Sequence, residues 1–395
     1  PMLTAGAIDT MSAHASEQLK QFYLPNMVSG KWTGTMNLTE SHAGSDLSTL
    51  KTRATPEGDH YLIRGQKTFI TWGEHDMAEN IIHIVLAPLV DAPPGNKGLS
   101  LFLVPKFLVN EDGSLADRND LRVVSTEGKL GIHASPTCVM SFGENEGAVG
   151  YMIGEPGDGL ACMFTLMNHA RVEVGLQGVG IAERAYQDAI SYARERVQGR
   201  NVETGEAATI IQHADVQRML MHMKSTTEAM RALAYDGAFY YDLRAHEEDI
   251  EKKRQADERV ALLTPVIKAW STELVNEVTS IGVQVHGGMG FIEETGAAQH
   301  YRDARITAIY EGTTGIQAND LVGRKLLRDQ GVALTSYMEE ISKTVTVLNN
   351  SDDPDLKRIA KQLREALENL ASASQFIIEN SQASQKFVGA VSYNF

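Results

Sequence analysis

The residues best suited to chemistry are one acid and its neighbours, Tyr310-Glu311-Gly312-Thr313-Thr314. The carboxylate stands where an aliphatic segment (Ile306, Ala308, Ile309) ends and a helical pattern begins. Thr313 or Thr314 can cap that helix, and Ile316, Leu321, Leu326 and Leu327 supply its apolar side. Gly312 lets a substrate carbonyl or another backbone approach. A carboxylate at such a junction suits a general base, although a lone Glu at a helix start is more often a dipole-stabilised cap.

Four other stretches carry polar groups at suggestive spacing. Met36 to Asp46 (MNLTESHAGSD) is a turn whose amides and hydroxyls can hold something planar or anionic, or is simply a polar loop ahead of a strand. In Lys67 to Gly73 (KTFITWG), alternation places Phe69 and Thr71 on one strand face, able to flank a ring system or to serve as core and edge. Gln284 to Phe291 (QVHGGMGF) puts glycines at a helix C-terminus, where a pyrophosphate can approach backbone. Its spacing is not GxGxxG and it follows a helix, which disfavours a Rossmann site. His286 there reads first as a buried, hydrogen-bonded histidine. Arg194 to Arg200 (RERVQGR) closes a long helix, as dipole compensation or as a phosphate or adenine clamp.

The elements that must position these groups change character along the chain. Residues 1–35 read as helix, with Pro25 as its stop. Residues 36–155 read as short antiparallel strands separated by Gly, Pro, Asn and Asp, with Asn110 to Asp120 as a solvated acidic loop. Residues 156–330 read as a helical bundle. One face runs through Val172, Leu176, Val179, Ala182 and Ala189, and another through Val216, Met219, Leu220, Met223 and Met230. Thr264-Pro265 reads as the start of a third helix, after a charge-dense stretch from Glu247 to Arg259 that reads as an exposed helix end or connector. Residues 331–395 read as a further helical pair joined at Ser351 to Pro354. The helical pattern already under way at Leu3 and Ile8 predicts an incomplete first helical domain, and the C-terminal extension is likewise expected to be incomplete.

Composition narrows the function classes. With 395 residues, 43% hydrophobic and 22% charged, the chain can bury several cores. A net charge of −15 disfavours a sequence-blind grip on nucleic acid or on an anionic membrane. Cys138 and Cys162 lack zinc-type spacing, so two reduced thiols and no metal are expected. The longest apolar run, Ile81 to Val90, is interrupted by His83 and Pro88 and is too short to span a bilayer, and a cytoplasmic protein is expected.

Taken together, LTESHAGSD, FITWG, RERVQGR, QVHGGMGF and YEGTTGIQ resemble the acyl-CoA dehydrogenase family across about residues 1–330. The resemblance implies an α+β multidomain fold: a helical N-terminal part, a central antiparallel β-domain and a C-terminal helical bundle, here with a helical extension. It implies an FAD enzyme that forms an α,β double bond in an acyl-CoA thioester, with Glu311 as the base removing the α-proton. Leu38, Thr39 and Ser45 match the loop at the flavin ring and the CoA pyrophosphate side, and Phe69 and Thr71 the groups against the isoalloxazine. Arg196 resembles the arginine given to a neighbouring subunit's FAD. Gln284 to Gly288, including His286 and Gly287, resembles the loop on its adenosine diphosphate part, and Thr313 belongs to the cofactor set. Asn168 and Arg171, with Ser45, Tyr310 and Gly312, correspond to the acyl-CoA site. Further implications are a homodimer or homotetramer, electron-transfer flavoprotein or a similar acceptor, and a bacterial cytoplasmic setting. The loop at 106–120 and the helices after 330 resemble a larger bacterial subgroup, implying a short or sulfur-containing acyl chain such as 3-methylthiopropanoyl-CoA. Two departures are the absence of the family's aromatic after Arg196 and Ala214 at a position where many members carry a flavin-contacting Gln. An acyl-CoA oxidase on the same fold, or a flavin-bearing nucleic-acid-binding relative, are the alternative readings.

Overall fold

The computed structural model describes residues 2–382 and 385–395. The chain divides into two compact units, Pro1–Ala170 and Arg171–Phe395.

The first unit opens with helices α1 (Met2–His14) and α2 (Glu17–Val28). Ser16 caps α2 by accepting a hydrogen bond from the Leu19 amide. Pro25 does not stop α2, which closes one turn later with the Ser29 amide on the Pro25 carbonyl. Proline removes a donor but leaves its own carbonyl available. The strands are β1 (Trp32–Asn37), β2 (Arg53–Glu57), β3 (His60–Thr71), β4 (Asn80–Pro88), β5 (Leu99–Pro105), β6 (Phe107–Val109), β7 (Leu115–Arg118), β8 (Leu121–Thr126), β9 (Thr137–Phe142) and β10 (Ala148–Ile153). They form an eight-stranded sheet in the order β1-β4-β5-β10-β3-β9-β8, with β2 on β3. One pairing departs from the expected antiparallel pattern: β1 runs parallel to β4.

Strand β4 explains why Ile81 to Ala87 is apolar at every position but His83. Side chains alternate across a sheet, so Ile82, Ile84 and Leu86 join the core made with Ala7, Met11 and Met27 of the helices. Val85 and Ala87 join a second core with Ile63, Phe102 and Met140. The 110–120 segment is only partly the solvated loop expected. Its tip turns at Gly113 between β6 and β7, but Asn119 at its base is buried and donates to the Pro105 and Val149 carbonyls, both at 2.9 Å.

Helix α3 (Gly159–Glu195) leads into the second unit, which holds the hairpin β11 (Val197–Arg200) and β12 (Ala207–Thr209), then α4 (Ala214–His246) and α5 (Ile250–His286). After these come α6 (Ala297–Arg305), α7 (Thr314–Asp320), α8 (Val332–Asn349), α9 (Pro354–Asn380) and α10 (Gln385–Ser392). Helix α5 corrects the reading of Thr264-Pro265 as a start: the helix begins fourteen residues earlier, with Asp249 capping it, and runs through Pro265. Interior proline costs about 3 kcal/mol. Here Val260, Leu263, Ile267, Val275 and Val278 are all buried on either side of it, and burial of such a stripe outweighs the lost bond. Gly175 and Gly178 let α3 touch α5 backbone to backbone. A Cβ at Gly175 would lie 2.9 Å from the Ile267 carbonyl oxygen, and one at Gly178 would lie 3.0 Å from that of Ser271. The helical pair expected after residue 330 forms as α8 and α9, with Asp353 capping α9. Among the described residues, no helix is long and apolar enough to cross a membrane.

Candidate active site

Glu311 lies in a short, tightly held connection. After α6 the chain makes a 3-10 turn at Ile306–Ala308, and the Tyr310 amide donates to the Ile306 carbonyl at 3.1 Å. Glu311 then takes a left-handed conformation (φ 54°), followed by Gly312 (φ 84°). A left-handed Glu is strained by about 1–3 kcal/mol and persists only when its surroundings enforce it. Gln317 does so: it is buried, and its Nε2 donates to the carbonyls of Glu311 (3.2 Å) and Gly312 (3.1 Å). Of the two possible caps, Thr313 is the one used, accepting from the Ile316 amide. Thr314 instead donates to Glu273 on α5 at 2.5 Å.

This geometry keeps the Glu311 side chain half-buried, with Oε2 shielded from solvent and without a hydrogen-bond partner among the described residues. Burial pushes its carboxyl up to about 7, against the pull of Arg171 and Lys268. A carboxyl poised near neutrality can accept a proton and release it again, as a general base must. Tyr310, beside it, donates its hydroxyl to Gln177 of α3. Burial, with the Glu311 charge adding, holds the phenol above its ordinary range. Arg171 is buried and ion-paired with Asp320 at 3.0 Å. Asn168 stands one turn earlier on the same helix, half-buried.

Three contributors escaped the sequence reading. Gln317 closes the quoted YEGTTGIQ run, but its role depends on a side chain folding back across a cap. Asp320 shows its role only through its pairing with Arg171. Lys268 carried the clearest signal, a cation on a side of α5 made of small or apolar residues (Thr264, Ile267, Ser271, Val275).

In the same unit, Arg196 is exposed just past α3, its carbonyl accepting from the Ile210 amide at 2.8 Å. Arg200 belongs to β11 and not to the helix end. Gln284, Gly287 and Gly288 are exposed where α5 stops, with Gly287 at φ 60°. His286 is buried, donating Nδ1–H to the Gly282 carbonyl (2.7 Å) and stacked on Tyr192 with ring centroids 4.5 Å apart.

The first unit gathers the remaining residues around a buried ion pair. Lys67 is wholly buried, and its Nζ donates to the Leu38 carbonyl (2.9 Å), to Glu40 (3.0 Å) and to the Leu86 carbonyl (2.8 Å). Glu40 also accepts the Lys51 and Thr52 amides at 2.8 and 3.0 Å. The Thr68 amide donates to the Thr39 carbonyl at 2.9 Å. The Leu38–Thr39 turn is thereby tied to β3 at both residues, with Ser45 exposed beyond it. Strict alternation fails at Phe69: the β3–β9 register shifts between Lys67 and Ile70, and Phe69 adopts φ 59°. This bulge turns the ring outward, 63% exposed. Thr71 is half-buried, and its carbonyl accepts the Thr35 hydroxyl at 2.6 Å.

Comparison with known proteins shows the family. Residues 35–144 match the acyl-CoA dehydrogenase middle domain and residues 157–326 the C-terminal domain of the same family. The chain is 52% identical over 93% of its length to the 3-methylmercaptopropionyl-CoA dehydrogenase of Ruegeria pomeroyi, and spans 62% of that relative's length. It is 30% identical to the solved butyryl-CoA dehydrogenase of Megasphaera elsdenii, covering 82% of this chain and 76% of that one with a TM-score of 0.67. Caenorhabditis elegans ACDH-11, solved with C11-CoA, shares the fold at 24% identity and TM-score 0.84, over 99% of this chain and 64% of that one. A left-handed glutamate in YEGTTGIQ, an outward aromatic in FITWG and a match over both domains have one common explanation: the chain belongs to the acyl-CoA dehydrogenase family.

Proposed function

We propose that the protein catalyses FAD-dependent α,β-dehydrogenation of an acyl-CoA thioester. The observation that carries this reading is the Glu311 carboxyl, held half-buried with one unpartnered oxygen and a proton affinity near neutrality. Glu311 takes the α-proton as the Cα–H bond breaks and its electron pair moves into the new Cα–Cβ double bond. A flavin held beside Phe69 and Thr71 would supply the acceptor for the hydride that leaves the β-carbon. The Glu311 amide is assigned to the thioester oxygen, where charge develops as the proton leaves. Asn168, Arg171, Tyr310, Gly312 and Ser45 are assigned to the acyl-CoA.

A flavin fits the residues present. An aromatic ring held outward by a strained bulge, as Phe69 is, suits stacking on a planar ring system. Leu38, Thr39, Ser45 and Thr71 supply backbone and hydroxyl groups beside it in the same unit. The exposed Gly287 and Gly288 backbone, with Gln284, His286, Thr313 and the cation of Arg196, is assigned to the cofactor in the second unit. Phe69→Ala should leave folding intact and weaken flavin retention about five- to tenfold, the worth of one aromatic stack. Arg196→Ala should also lower flavin occupancy while leaving the reduction rate of the loaded fraction near that of the wild type. Flavin-to-protein absorbance ratios after gel filtration check both, and undiminished occupancy in Arg196→Ala refutes its role as a cofactor clamp.

We further propose the four-part organisation at 1–35, 36–155, 156–330 and 331–395, a homodimer or homotetramer, a bacterial cytoplasmic setting, and electron-transfer flavoprotein or a similar acceptor. Similarity to the Ruegeria pomeroyi enzyme supports 3-methylthiopropanoyl-CoA as the substrate. The test is anaerobic flavin bleaching across a panel of acyl-CoAs that includes this thioester. Bleaching fastest with it supports the assignment; bleaching by no acyl-CoA refutes the function. Hydrogen peroxide release in air at the rate of turnover would assign the oxidase reading instead.

A further inference from the structure

Where α3 and α5 touch through Gly175 and Gly178, α5 sends a lysine into the interior. Lys268 is 0% exposed, and its Nζ has no hydrogen-bond partner among the described residues. Three threonines on the buried stripe of α5 satisfy themselves on their own helix, whereas the Ser271 hydroxyl has no partner among the described residues. Thr264, Thr272 and Thr279 each donate to the carbonyl four residues back, at 2.7 Å. Lys268 does not. An ammonium buried without a partner is destabilising, and a methionine would fill the same volume at lower cost. The opposite charge acting on it most strongly is Glu311, with Glu273 behind it.

The charged groups around Glu311 narrow the choice of counter-ion. Arg171 on α3 is ion-paired with Asp320 of α7. Arg324, in the wide helical turn at Leu321–Leu326, reaches the other Asp320 oxygen at 3.7 Å and is mostly exposed. Lys325 in that turn couples to Asp320. Glu273 on α5 accepts from Thr314, and Tyr310 bonds Gln177. Of the two cations that act on Glu311, Arg171 and Lys268, Lys268 is the one with no carboxylate ion pair among the described residues. We propose that Lys268 is a positioning residue of this site, its buried ammonium serving as the counter-charge to the Glu311 carboxylate. This rests on the reading of Glu311 as the base.

The sign of the effect follows. A neighbouring cation favours the charged carboxylate, so removing it makes Glu311 hold its proton to higher pH. Burial lowers Lys268 itself to about 8, so near pH 7 most of it is charged.

The test labels the full chain with δ-13C-glutamate and follows the Glu311 resonance, assigned by its loss in Glu311→Gln, through a pH titration without flavin. In Lys268→Met the midpoint should rise by about one pH unit, while Lys268→Arg stays near wild type. The pH profile of flavin reduction in the holoenzyme should move the same way. At pH 5, where Glu311 is protonated, thermal unfolding of Lys268→Met should be unchanged or higher, because a buried charge has gone and no carboxylate is stranded. Should Lys268→Met fail to fold, Lys268→Gln serves with the same expectation. A neutral variant that folds with an unmoved Glu311 midpoint overturns the proposal, most plainly if its melting temperature falls, which marks a packing role. Wild-type flavin that no acyl-CoA bleaches would refute the reaction instead, and would leave the titration of Glu311 to be read separately.

Discussion

Glu311→Gln is expected to bind flavin as the wild type does and to lose its bleaching by acyl-CoA by a factor of about 10³, within the usual span for a general base. The amide is nearly isosteric and can keep the backbone turn held by Gln317, but it cannot take the α-proton. Anaerobic stopped-flow absorbance of the flavin band reads the outcome, and reduction at the wild-type rate places the base elsewhere. In the wild type the reduction rate should rise with pH through about 7, as the raised carboxyl ionises. Stability should move the other way. A carboxyl whose folded-state affinity for the proton is raised contributes stability that is complete below its unfolded value of 4.5 and is lost as pH rises through about 7. That loss amounts to up to about 3 kcal/mol, so Glu311→Gln should unfold at a higher temperature than the wild type above pH 7, with little difference near pH 5.

The second large effect concerns Glu40 and Lys67, which the sequence places in two separate motifs. Lys67 is 0% exposed, and burial lowers its amine to about 8 against the opposing Glu40 charge. Burial pushes the Glu40 carboxyl up, but the Lys67 charge and the Thr52 and Lys51 bonds hold it below its ordinary value. Removing one partner strands the other, at a cost of about 3–5 kcal/mol. Glu40→Ala should therefore lower the melting temperature by roughly 10 °C and shed flavin, because the Lys51 and Thr52 amides lose their acceptor and the Lys67 tether on Leu38 loses its counter-charge. The double variant Glu40→Gln/Lys67→Met should recover part of the stability. The recovery is read by calorimetry, and a single variant as stable as the wild type would show the pair to be dispensable. The Glu40 contribution is present above its unfolded value of 4.5 and is lost as pH falls through its lower folded value.

Local rules carried the sequence a long way. Helical period placed the bundle, consecutive apolar residues marked β4, and Asp353-Pro354 placed the start of α9, because these signals act within a few residues. The motif run ending in YEGTTGIQ singled out Glu311 as a candidate because the turn, cap and acid are contiguous. Tertiary structure decided what depends on distant partners. Burial of the flanking stripe carried α5 through Pro265, and a register shift against β9 turned Phe69 outward. The proton affinity of Glu311 was likewise outside the reach of sequence. It depends on how much water the fold removes and on cations 140 and 43 residues away, at Arg171 and Lys268, and desolvation and Coulomb forces act through space whatever the separation along the chain.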